Sequence, residues 1–193
     1  MKKTTALLLM AVMIFTLSAC GSKPDVSGTE TESRESAYTQ SLDVLNEVFK
    51  SYKEDERFAI YGGNQENAVE DAPGKFDISK TEELENVLGL PGEQVSGIDD
   101  AASVVHMMNG NTFTGAAYHL KDSTDVNTFA DAVKSCILAK QWVCGQPDTL
   151  IIIQVDGGYV ITAYGEKGIM ETFKNNALTA LSGAQVVTEA PVA

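Results

Sequence analysis

The chain has 193 residues, of which 44% are apolar, enough for one domain with one core once a leader and a spacer are set aside. Its 27 acidic residues against 14 basic ones give a formal net charge of -13 and a pI near 4.4. A surface this acidic is repelled by phosphate backbones and by anionic headgroups, which excludes nucleic-acid binding and any membrane contact through a face of the protein.

Met1-Lys2-Lys3 makes a positive n-region, and Ala6 to Leu17 an apolar stretch of signal-peptide length, too short for a comfortable bilayer span. Leu17-Ser18-Ala19-Cys20-Gly21 follows, with small residues that an extended chain can present to a signal peptidase. The run resembles the lipobox of bacterial lipoproteins. That resemblance implies a signal peptide over residues 1–19, a diacylglyceryl thioether on Cys20, and a protein held on the extracytoplasmic face of the cell membrane. Loss of Lys2 and Lys3 then leaves 12 basic residues against 27 acidic ones, a net charge of -15. Gly21, rather than Asp, at the second mature position gives no inner-membrane retention cue if the host has two membranes. From Gly21 to Ser36 the only large apolar residue is Val26, so residues 20–36 read as a lipidated cysteine and a flexible tether reaching ~20–25 Å. A single domain is expected over residues 37–190.

Leu42, Leu45, Val48, Phe49 and Tyr52 recur at helical spacing and predict a first helix over about 39–53. Gly62-Gly63-Asn64 stops regular structure, and Gln65 to Asp77 reads as a loop with a turn at Ala72-Pro73-Gly74. Ser79 with Glu82 makes a capping box for a short helix carrying Leu84, Val87 and Leu88 and ended by Gly89 and Pro91. Ala101 to Asn109 fits either a helix capped by Asp99-Asp100 or a strand, and a short helix is the expectation. Thr112 to Leu120 predicts a strand, and Ser123 or Thr124 caps a helix running to about Lys140. Thr149 to Val155, with its Leu150-Ile151-Ile152-Ile153 run, predicts a central strand that Asp156-Gly157-Gly158 turns back into Tyr159–Tyr164 as a hairpin. Ile169, Met170, Phe173, Ala177 and Leu181 mark a last helix, Ala184 to Thr188 a closing strand, and Glu189 to Ala193 a frayed tail. The order predicts an α+β fold: a small, mostly antiparallel sheet with helices packed on one face.

Chemistry-bearing residues are few. His106 and His119 lie around the Gly110 turn, where a hairpin would hold them well over ~10 Å apart, so a shared metal site or a catalytic pair is disfavoured. Each is expected to be a half-buried ring bonded to backbone. Of the two arginines, Arg34 falls in the tether, which leaves Arg57 as the domain's one guanidinium. The remaining cysteines, Cys136 and Cys144, admit a disulfide only if the helix ends near Lys140 and residues 141–143 fold back; otherwise they are free thiols. Trp142 reads first as a plug for the end of the core. Its alternative role is an exposed anchor for a partner, and the turn 142–147 is then the candidate interaction patch, with Tyr118 and His119 beside it. Acidic clusters such as Glu54-Asp55-Glu56 and Asp99-Asp100 lack the spacing of a calcium loop and read as solvated faces. No nucleophile-elbow, Walker, dinucleotide or zinc-protease pattern occurs, so no cofactor, no metal and no enzymatic activity are expected.

Several stretches carry a broader likeness: Ala72-Pro73-Gly74-Lys75-Phe76-Asp77, Asp99 to Ser103, His106-Met107-Met108-Asn109 with Asn111 to Thr114, Ala117-Tyr118-His119, and Gln141-Trp142 with Cys144-Gly145 and Pro147. From about Leu42 onward the chain resembles small lipoproteins of uncharacterised function from Clostridia-type Gram-positive bacteria. The resemblance implies address, host type and fold, and brings no activity with it. The expectation is a membrane-anchored accessory module that contacts another cell-surface protein. The alternatives are a solute-binding lipoprotein feeding a transporter and, behind it, a thiol- or histidine-dependent enzyme using Cys144 or His119.

Overall fold

The structure, a computed structural model, describes residues 37–192. The signal peptide, the lipidated Cys20 and the tether read in residues 1–36 lie outside the described residues, as does Ala193.

The chain forms α1 (Ser41–Lys50), β1 (Ile60–Gly62), β2 (Val69–Glu70), β3 (Gly74–Lys75), α2 (Thr81–Glu83, continued by a π-turn over Leu84–Leu88), β4 (Ile98–His106), β5 (Phe113–Leu120), α3 (Val126–Ala139), β6 (Thr149–Val155), β7 (Tyr159–Gly165), α4 (Lys167–Ala180) and β8 (Gln185–Pro191). All eight strands join one antiparallel sheet in the order β2-β1-β4-β5-β7-β6-β8, with β3 paired to β4. The α+β class and the antiparallel sheet agree with the sequence expectation.

The helices, expected on one face, cover both. In the central strands, successive residues are apolar toward opposite sides: Ile151 and Ile153 meet α1 and α4, while Leu150 and Ile152 meet α3 and the π-turn. Tyr159, Ile161 and Ala163 point to the first layer and Val160 and Tyr164 to the second. A strand apolar on both sides must be covered twice, and the unbroken run at 150–153 is the mark of that burial.

Four further expectations are corrected. Ala101–His106 belongs to strand β4, not a helix, and Met107–Asn109 to the turn after it: Val104 and Val105 are β-branched, both faces of the strand are buried, and Asp99-Asp100 serve elsewhere. The Asp100 carboxylate accepts the Ser41 backbone N–H at 2.7 Å, so it caps α1 from across the sheet. The Ser79 capping box is absent because the Asp77 Oδ1 takes the Ser79 N–H at 2.9 Å and Lys80 becomes the residue before the helix. The tail is no tail to Pro191: β8 pairs with β6 as far as Thr149–Pro191, and Val192 is buried with its N–H on the Asp148 carbonyl at 3.1 Å. The domain therefore passes the boundary expected at residue 190. α3 is capped by Asp125, whose Oδ1 accepts the Thr128 N–H at 2.8 Å, and not by the expected Ser123 or Thr124 just before it.

The segment 65–77, read as a loop, contributes β2 and β3. It is held by Gly62 and Gly74, whose backbones pass so closely that neither has room for a β-carbon, and by Ser103. The Ser103 hydroxyl accepts the Gly63 N–H at 3.0 Å and donates to the Gly63 carbonyl at 3.2 Å.

Candidate interaction surface

Two loops meet at one end of the sheet. The β4–β5 turn runs through Met107–Thr112, and the α3–β6 connection leaves the helix at Lys140, which is already extended. Cys144 then takes a left-handed conformation (φ 64), a strained state for a non-glycine residue, and Gly145 follows at φ 110. Asparagine amides stitch the loops together. Asn109 Nδ2 donates to the Cys144 carbonyl at 3.1 Å, and Asn111 Nδ2 donates to the carbonyls of Val143 and Gly145, both at 2.8 Å. The Asn109 Oδ1 accepts the Asn111 N–H at 2.9 Å, which orders the turn from within. These bonds satisfy the backbone of two loops and leave their apolar side chains outside: Met108 is 83% exposed, Val143 76% and Met107 42%. Apolar side chains grouped on a braced surface are what a protein interface offers.

Trp142, in the same turn, faces inward. Its ring lies 5.2 Å from that of Tyr164, and Lys140 Nζ sits over both rings at 5.2 and 5.6 Å while donating to the Asn86 carbonyl at 2.7 Å. It plugs the end of the core. Tyr164 donates its hydroxyl hydrogen to the Val87 carbonyl at 2.7 Å, and burial pushes its pKa up from 10.0 to about 12. A raised acid pKa favours the neutral folded form, so this contribution is intact below pH 10.0 and is lost as pH rises through about 12. Tyr164's share of the fall in stability across that alkaline window, read from urea midpoints, is roughly 2–3 kcal/mol, beside the shares of Tyr52 and Tyr118, whose phenol pKa values burial also raises. Tyr164→Phe should remove this share while costing about 1 kcal/mol at neutral pH, and an unchanged alkaline fall would show that Tyr164 does not contribute to it.

The expected patch of Trp142, Tyr118 and His119 does not assemble. Tyr118 is fully buried beneath α3 against Phe129, at 5.6 Å between rings, and burial raises its phenol pKa. His119, its neighbour on β5, points to the opposite side of the sheet, because successive strand residues alternate. There its ring lies 4.7 Å from that of Tyr159, and its Nδ1 is 2.6 Å from Asp99 Oδ1. Asp99 reaches it because β4 changes register between Ile98 and Asp100. His106 stacks on Phe58 at 5.4 Å and accepts the Met108 N–H at its Nδ1. In the ladder His119 pairs with Asp100, six residues from His106, which places the two histidines ~20 Å apart.

The candidate disulfide does not form: Cys136 and Cys144 are free thiols. Burial raises the Cys136 pKa, helped by the charge of Glu85, which disfavours a reactive thiolate. Among the described residues no three His, Cys, Asp or Glu side chains are grouped to hold a metal ion.

Next to the loops lies a cleft of about 490 Å³ that sequence reasoning missed. It is lined by Asn46, Phe49 and Lys50 of α1, by Arg57 to Ile60, and by Asp71 to Pro73. The Met107 N–H bonds to the Ala59 carbonyl at 2.9 Å, so the cleft and the apolar loops share a border. The single signal in the sequence was the rarity of Arg57.

Family models, curated proteins and solved structures give no match to this chain.

Proposed function

We propose that the chain is a lipid-anchored, extracytoplasmic binding module that presents the paired loops 107–112 and 141–146 to another cell-surface protein. The observation that carries this reading is the bracing of Met108 and Val143, the two most exposed large apolar side chains of the described residues, by Asn109 and Asn111. Ordering such side chains before contact lowers the entropy cost of association. The lipobox-like run at Leu17–Cys20 supplies the address, and no described helix is long and apolar enough to cross a membrane. With a net charge of -13, the chain favours a partner whose facing surface is neutral or basic around an apolar recess.

Cross-linking of intact cells expressing a tagged copy, followed by purification under denaturing conditions, should recover one near-stoichiometric protein partner. Met108→Asp with Val143→Asp should cut its recovery at least about tenfold without moving the melting temperature, since both side chains stand in solvent. Labelled palmitate should enter the parent and not the Cys20→Ser variant. Recovery of random membrane neighbours only, or of the same partner by the double variant, removes this reading.

A further inference from the structure

The cleft beside the loops carries charges that the fold does not use. Arg57 makes one long hydrogen bond, from Nη2 to the Tyr52 carbonyl at 3.5 Å, and no carboxylate among the described residues pairs with it. Asp71 lines the same cleft. Its N–H is tied to the Ile60 carbonyl at 2.9 Å, but its carboxylate takes no hydrogen bond or ion pair from the described residues. The two opposite charges share one cavity without reaching each other. Asp71 sits at φ 56 in the turn between β2 and β3. Lys50, at the end of α1, adds a second cation beside Arg57, and its one partner is a solvent-exposed pairing with Glu47 at 3.4 Å. The apolar lining is Phe49 and Phe58, edge to face with centroids 6.4 Å apart and both partly open to solvent, with Ile60, Ala72 and Pro73 around them.

A guanidinium grips a carboxylate through two parallel hydrogen bonds, and a carboxylate grips an ammonium. An apolar group between them needs an aromatic surface. We propose that this cleft binds a free α-amino acid with an aromatic or apolar side chain. Its carboxylate meets Arg57 and Lys50, its ammonium meets Asp71, and its side chain lies on Phe49 and Phe58. The volume of about 490 Å³ falls in the range of small-ligand sites. The Asn46 amide supplies a further polar contact. This site stands apart from the loop patch: neither proposal depends on the other.

Three compounds with one ring and different charges test it: L-phenylalanine, 3-phenylpropionate without the ammonium, and phenethylamine without the carboxylate. In calorimetric titration of the full chain, L-phenylalanine should bind, and each of the others should bind about tenfold more weakly, the worth of one charge-assisted contact. Arg57→Gln should weaken L-phenylalanine and 3-phenylpropionate and leave phenethylamine unchanged. Asp71→Asn should do the reverse. Asparagine tolerates a left-handed backbone, so this variant should keep the parent melting temperature and its loss can be read as lost contact. Amide NMR shifts on binding should centre on residues 46–50, 57–60 and 71–73. Equal affinities for the three compounds, shifts centred elsewhere, or no binding below about 10 mM each overturn the proposal.

Discussion

Gly62→Ala is expected to cost about 4 kcal/mol or more and to unfold much of the protein at 37 °C. A β-carbon at Gly62 would overlap Gly74 N and Pro73 C, and would lie 2.6 Å from the Ser103 carbonyl oxygen. All three are backbone atoms, so no side-chain rotation can relieve the clash. The strands β1, β3 and β4 would have to separate, and with them the Ser103 hydroxyl would lose both of its bonds to Gly63. Gly74→Ala meets the same obstacle from the other side, at 2.5 Å from Gly62 C and from Gly63 N. Gly168→Ala is the control: it sits in α4 with nothing within 4 Å of its added carbon, and should be neutral or stabilising by up to about 1 kcal/mol. Urea melts followed by circular dichroism separate the cases. A Gly62→Ala midpoint equal to the parent's would mean that these backbones do not approach as described. Because Ile60 and Pro73 border the cleft, Gly62→Ala should abolish amino-acid binding as well.

Phe113→Ala should be the most damaging truncation of the core, at about 3–5 kcal/mol, or roughly 10 °C in melting temperature. Phe113 is fully buried, and its ring lies 5.1 Å from that of Phe173, 5.4 Å from Phe58 and 6.4 Å from Phe49. It thus joins α4 to the two rings that line the cleft. Removing it takes away dispersion contacts on three sides and leaves a cavity that β5, paired on both edges from the next residue onward, cannot readily collapse to fill. Phe113→Leu keeps most of the volume and should cost less than half as much. The damage should spread to function in a graded way. Phe49 and Phe58, losing their support, should weaken L-phenylalanine binding in Phe113→Ala even at temperatures where the variant is fully folded, while the loop patch keeps its partner. A Phe113→Ala protein within about 1 kcal/mol of the parent would contradict this account of the core.

How much of this was legible in the sequence follows from where the signals lay. The hairpin β6–β7 was readable because Asp156-Gly157-Gly158 interrupts two apolar runs, and both glycines do adopt φ 81. α3 and α4 were readable because Phe129, Val133 and Ile137, and Met170, Phe173 and Ala177, keep helical spacing. β4 was misread because Ala101 to Val105 is buried on both faces and shows no alternation, which leaves strand and helix alike on periodicity. β1 and β3 had no local signal at all. They exist through Gly62, Gly74 and Ser103, whose contacts span 40 residues. In the turn at 142–147 the largest residue, Trp142, is not an exposed one. Trp142 is drawn inward by Tyr164 and Lys140, and the exposed positions are the less conspicuous Val143 and Cys144. The cleft could not be read, because Phe49, Arg57 and Asp71 become neighbours only when α1 and the β2–β3 turn fold around the same strand.

The clamp of Asp100 on Ser41 sets an order of events for the folding chain. α1 has ten residues, too few to persist alone in water, and its cap comes from a residue 59 positions later. At its other end the Ser51 hydroxyl donates to the side chain of Asn176, 125 positions away. The hairpins β4–β5 and β6–β7 close over short loops and can zip early, whereas α1 gains its partners only after the sheet exists. α1 is thus expected to be fixed last, because Val44, Leu45 and Val48 are buried only against the finished sheet. Late protection of the α1 amides in pulse-labelled hydrogen exchange is the expected result.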